Sequence, residues 1–195
     1  MTRVSAMRIA FFIALLTLAG CASAPSRISN ACAIFEQRDG FFNNWERQAR
    51  AAEREYGVPV PILMATIYVE SSFRSNARPP RKWFLGFIPG KRASSAYGYA
   101  QALDGTWETY QRATGRWGAR RNDFGDAIRF VGWYHNQTSA RNGVARNDAY
   151  NLYLAYYAGH AGYDRGNFSG SLRQTAQKSA GMAARYAAQL KGCGY

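Results

Sequence analysis

Acidic residues are scarce in this chain, with 12 Asp and Glu against 25 Lys and Arg and a formal charge of +13. Histidine occurs only at His135 and His160, and cysteine only at Cys21, Cys32 and Cys193. None of these stand at the close spacing of zinc ligands, which argues against a metal site, and no cofactor is expected. Long apolar runs are missing as well. The run from Ile9 to Leu18 is about half of the roughly 20 residues that a membrane-crossing helix needs. No internal repeat is visible and strand signals are few, which leaves a mainly α class. Nor is there a helix-turn-helix, zinc-finger or RNP pattern, so the positive charge does not point to nucleic acid.

What is present at the start is an export signal: Arg3 and Arg8, then the apolar run, then small residues. Leu18-Ala19-Gly20-Cys21 resembles the lipobox of bacterial lipoproteins, in which the chain is cut before the cysteine and the cysteine is acylated. That resemblance implies residues 1–20 as a signal peptide and Cys21 as an anchor to the membrane. Ala22, where Asp would signal retention, implies an outer-membrane lipoprotein facing the periplasm. A plain signal peptide cut near Ala22 or Ala24 is the alternative. Consuming Cys21 leaves Cys32 and Cys193 as a pair, expected to form a disulfide that closes nearly the whole domain. Without Arg3 and Arg8 the exported chain keeps a net charge of about +11 and favours polyanions, of which peptidoglycan with its stem-peptide carboxylates suits the compartment.

Residues 21–31 are small and polar and read as a tether, leaving 32–195 as one domain, since the chain is too short for two ordinary ones. Trp45, Ala49, Ala52 and Tyr56 recur at three- and four-residue spacing before Gly57, which predicts an amphipathic helix. Pro61 opens a nearly all-apolar segment, predicted as a buried helix over Ile62 to Phe73. Residues 77–96, rich in proline, glycine and basic residues around Trp83, Phe84, Phe87 and Ile88, read as a long loop or small hairpin with an aromatic tip that either touches ligand or folds back on the core. Asp104, Asp123, and Asn147 or Asp148 are candidate helix caps, and Ser171 starts a long amphipathic helix reaching Cys193.

Glu70 is the one acid between Gly57 and Asp104. Near the end of an apolar helix, desolvation and the helix dipole both raise a carboxyl pKa, so that it can give and retrieve a proton near neutrality. A glutamate at an exposed helix end is the bland alternative. Its company decides: Glu70-Ser71-Ser72-Phe73, then Gly98-Tyr99-Ala100-Gln101, then Ala155-Tyr156-Tyr157-Ala158-Gly159 resembles, in order, the Glu-Ser, Gly-Leu-Met-Gln and Ala-Tyr-Asn-x-Gly motifs of the lysozyme-like lytic transglycosylases of the soluble, Slt type. The resemblance spans about Gly57 to Tyr163.

It implies a lysozyme-like fold with Glu70 as the single catalytic acid and base, cleaving the MurNAc-GlcNAc bond of peptidoglycan glycan strands without water to leave 1,6-anhydro ends. It further implies Ser71 supporting the glutamate, Gln101 lining the sugar groove, Tyr156 beside the glutamate, and Tyr99 and Tyr157 at the substrate. Where the family has Asn this chain has Tyr157, and Tyr99 and Ala100 replace Leu and Met. The hydrogen bond of the missing asparagine is then lost, made by Tyr157, or supplied by His160, which otherwise reads as a polar loop residue. Two other readings stay open: a hydrolysing muramidase, which usually needs a second carboxylate, and a non-catalytic peptidoglycan-binding lipoprotein.

Overall fold

The computed structural model describes residues 24–40, 44–85 and 88–195. The expected signal peptide and Cys21 lie outside them. In chain order the elements are α1 (Ala31–Arg38), α2 (Trp45–Tyr56), α3 (Val60–Ser71), β1 (Arg81–Phe84), β2 (Ile88–Arg92), α4 (Asp104–Thr114), α5 (Phe124–Asn142), α6 (Ala149–Ala158), α7 (His160–Arg165) and α8 (Gly170–Gly192). The class is mainly α, as expected. The segment after α3 is the small hairpin rather than a loop, antiparallel, with Phe84 opposite Ile88 and Arg81 opposite Arg92.

Helix α3 is the axis of the molecule. Pro61 sits in its first turn, where the missing N–H costs nothing. Ile62, Leu63, Met64, Ala65 and Ile67 are all buried, each larger side chain contributing about 1.5–3 kcal/mol relative to exposure. A helix apolar on every side needs cover on every side, and α2, α5 and α8 provide it. The helix stops two residues short of the predicted end. Ser72 (φ 52°) and Phe73 (φ 57°) both take the left-handed conformation, and that reversal drives Phe73 into the core, fully buried with its ring 6.0 Å from that of Trp45. Trp45 in turn stacks on Phe124 at 3.8 Å, joining α2 to α5. The same two helices approach closely at Gly132, where a Cβ would come within 2.8 Å of the Tyr56 ring.

Helix starts follow capping chemistry. Asn30, Asn44, Asp123, Asp148 and Ser169 each accept a hydrogen bond from the backbone N–H three residues on, worth about 1 kcal/mol apiece. Asp104 is not a cap: Leu103 holds that position without a side-chain bond, and Asp104 is the first helical residue, paired with Arg121 at 2.7 Å. Helix α8 begins ahead of Ser171 because Ser169 caps it.

The segment expected as a tether is fixed to the domain where it is described. Pro25 is buried and Ile28 packs on the core. Tyr186 donates to the Ile28 carbonyl, and Gln189 bonds both Ser29 O and Ala31 N. The Cys32–Cys193 disulfide closes the same corner, linking α1 to the end of α8 across a sequence separation of 161.

Candidate active site

Glu70 lies in the last turn of α3. Tyr153, in the second turn of α6, donates its hydroxyl to Glu70 Oε1 at 2.8 Å. The residue keeps some exposed surface, yet its carboxyl group is enclosed, and burial pushes its pKa up to about 7 against the opposing pull of the Tyr153 hydrogen bond. Among the described residues no neighbouring carboxylate or cation adds to that shift. The electrostatics are those of a solitary acid, held half-protonated near neutral pH by desolvation.

The turn from Tyr97 to Ala102 forms the next wall. Gly98 has φ +77°, and a Cβ there would lie 2.0 Å from the Arg121 carbonyl oxygen, so the close approach and the conformation both demand glycine. Its N–H bonds Ala77 O at 3.0 Å. Gln101 is also left-handed, with φ 48°. In that pose its Nε2 donates to Gly98 O at 2.8 Å and to Ala77 O at 3.0 Å. The amide therefore spends both donors on the turn, and Oε1 is the atom it retains for a ligand.

Tyr156 joins helix and turn: its hydroxyl donates to Ala100 O at 2.6 Å, and it lies near enough to Glu70 that the carboxylate charge raises its pKa, after burial. A groove of about 220 Å³ opens here, lined by Gln101, Leu103, Phe130, Tyr134, Tyr156 and Tyr157 among others. Tyr157 is 68% exposed and Leu103 47%, so two apolar surfaces face solvent at the groove while its floor is aromatic.

Of the residues singled out in the sequence, Gln101, Tyr156 and Tyr157 line this groove, whereas Glu70 is not among its lining residues and adjoins it through Tyr156. Two others are placed elsewhere. Ser71 is buried, with its hydroxyl given to the Ile67 carbonyl at 3.2 Å. Tyr99 is buried edge-on to Trp45 and Phe124, so its ring belongs to the packing that joins α2 to α5. Tyr153 was missed. It sits one turn before Tyr156, on the same helix face, and that spacing was the available signal in a segment crowded with tyrosines.

His160 is not in a loop. It opens α7, stacks on Tyr134 at 4.5 Å and shares a 3.0 Å hydrogen bond with Thr138 through Nε2. His135 is fully buried and bonded to Thr66 at 3.0 Å, and burial pushes its pKa down to about 3, so it stays neutral. Among the described residues no group of His, Cys, Asp and Glu is placed to hold a metal ion.

A family model described as Transglycosylase SLT domain matches residues 9–193. No curated protein matches the chain at a significant level.

Proposed function

The chain belongs to the transglycosylase SLT domain family, and from that premise we propose that it cleaves the β-1,4 bond between N-acetylmuramic acid and N-acetylglucosamine in peptidoglycan, without water, with Glu70 as acid and then base. Protonated Glu70 gives its proton to the glycosidic oxygen as the C1–O bond of the muramic residue breaks. The carboxylate so formed takes the proton of the C6 hydroxyl, whose oxygen bonds to C1. The product is a 1,6-anhydromuramic end and a free N-acetylglucosamine 4-hydroxyl, and Glu70 regains its proton.

The observation that carries this reading is the isolation of the Glu70 carboxyl, with a pKa near 7 set by burial and one tyrosine. An inverting hydrolase places a second carboxylate about 6.5–9.5 Å away to activate water, and a retaining one about 5–5.5 Å away as nucleophile. Nothing of that charge enters the Glu70 surroundings described here. The aromatic groove fits the apolar faces of pyranose rings, with Gln101 Oε1 accepting from an N-acetyl N–H or a hydroxyl, and Tyr157 offering its hydroxyl where the family has asparagine.

The same proposal keeps Cys21 as the lipid anchor after removal of residues 1–20 and the outer membrane, facing the periplasm, as the location. The sequence-level signal supports these points.

Mass spectrometry of fragments released from purified peptidoglycan tests the activity. The domain should yield ends one water lighter than reducing ends, and its Glu70→Gln variant none. Reducing ends from the wild type would make it a hydrolase; bound but uncut strands would make it a binding protein.

A further inference from the structure

Between Glu70 and Asp104 the chain carries six basic residues, Arg74, Arg78, Arg81, Lys82, Lys91 and Arg92, and no acid. We propose that this cationic arm, built on the β1–β2 hairpin and its base, binds the carboxylates of the stem peptides and so directs the enzyme to peptide-bearing glycan strands. The inference rests on the peptidoglycan reading above and adds the part of the substrate that the glycan groove does not address.

Position is the first argument. The arm leaves directly from the catalytic helix, and Arg74 Nε bonds the Ser71 carbonyl at 3.0 Å. Its base is clipped to the wall of the groove, because Ala77 O accepts from both Gly98 N and Gln101 Nε2. The hairpin is closed across that base by Arg92 Nη1 donating to Pro79 O at 2.5 Å. Hence the base of the arm stands beside the wall of the sugar groove.

Charge and orientation are the second. Arg78 is exposed, and its guanidinium lies 4.0 Å over the ring of Tyr97. Stacking holds the planar fork while leaving its edge for a carboxylate. Arg81 and Lys91 are exposed on the two strands. Arg121, which also reaches the Tyr97 ring, is neutralised by Asp104 at 2.7 Å. By contrast, no salt bridge among the described residues engages Arg74, Arg78, Arg81, Lys91 or Arg92. A surface of one sign next to a substrate groove concentrates ligands of the other sign. Muramic acid, the sugar whose C1 bond Glu70 would break, is the one that bears the peptide on its lactyl group, which brings those carboxylates to the groove edge.

The test compares glycan strands carrying their peptides with strands stripped by an amidase. The wild-type domain is set against a variant with Arg81→Gln and Lys91→Gln, two exposed hairpin residues outside the groove lining. The wild type should act faster on peptide-bearing strands, and the variant should lose about tenfold in kcat/KM on those while matching the wild type on stripped strands. The wild-type preference should shrink as salt rises. Equal rates on both strands by the wild type, or an equal loss on both by the variant, overturns the proposal. So does a variant that keeps its strand preference but no longer binds vesicles of anionic phospholipid, which would assign the arm to the membrane. If neither strand is cut, the transglycosylase reading fails separately, and binding of the Glu70→Gln protein to the two strands still decides the role of the arm.

Discussion

Replacing Glu70 by Gln should stabilise the domain in alkaline solution and leave its stability unchanged in acid. The carboxyl has a folded pKa of about 7 against an ordinary value of 4.5, burial outweighing the Tyr153 hydrogen bond. Below the lower value both folded and unfolded chains hold the proton, and the group is neutral in its effect. As pH rises from there to about 7, the unfolded chain ionises freely while the folded one must keep the proton or bury a charge, so stability falls. Above that window the folded state carries the full penalty, about 3 kcal/mol. Glutamine is isosteric, never ionises, and can still accept from Tyr153. Thermal unfolding of wild type and Glu70→Gln should therefore coincide near about pH 4 and separate by roughly 5–10 °C near about pH 8, the variant being the more stable. A constant offset at both pH values, or a variant less stable in alkali, would refute the claim that Glu70 is enclosed at an energetic cost.

Tyr153→Phe removes the donor that favours the Glu70 carboxylate, so the alkaline limb of kcat/KM should move up by about one pH unit, read from the pH profile with a soluble glycan; a limb that stays or moves down contradicts the assignment. Gly98→Ala forces a Cβ against the Arg121 carbonyl in a left-handed turn and should cost about 2–4 kcal/mol in urea unfolding, with activity falling as the turn is lost. Breaking the Cys32–Cys193 bond by a double Cys→Ser exchange opens a loop spanning a separation of 161, and should lower stability by up to about 4–5 kcal/mol by the same measurement.

Much of this was legible in the chain because local rules and tertiary demand agree. The proline start and unbroken apolar run of α3 announced a buried helix, and Gly57 and Gly115 are left-handed stops at the ends of α2 and α4. The sequence was misleading where tertiary contacts took over. Ser72 and Phe73 leave the helix because Phe73 has a place in the core, and no propensity of either residue says so. Asp104 looks like a cap, but its partner Arg121 lies on the far side of α4 in sequence. Residues 24–31 are small and polar, yet α8 supplies Tyr186 and Gln189 to bond their carbonyls, and only the folded chain brings those groups together.

At the candidate site, motif order singled out Glu70, Gln101 and Tyr156, while side-chain direction was hidden. Tyr99, Ala100 and Ala102 of the turn are all buried, while Gln101, left-handed at φ 48°, reaches the groove, and no alternation in the sequence announces that choice. Which tyrosine of α6 reaches Glu70 depends on how the folded chain sets α6 relative to the end of α3, and there it is Tyr153.

The account turns on Glu70 acting alone, with no water attacking the sugar. Cleavage of purified peptidoglycan in heavy-oxygen water, followed by mass spectrometry of the fragments, tests this most directly. The account predicts anhydro ends with no heavy oxygen incorporated, and no fragments from Glu70→Gln; one heavy oxygen at each new reducing end would contradict it.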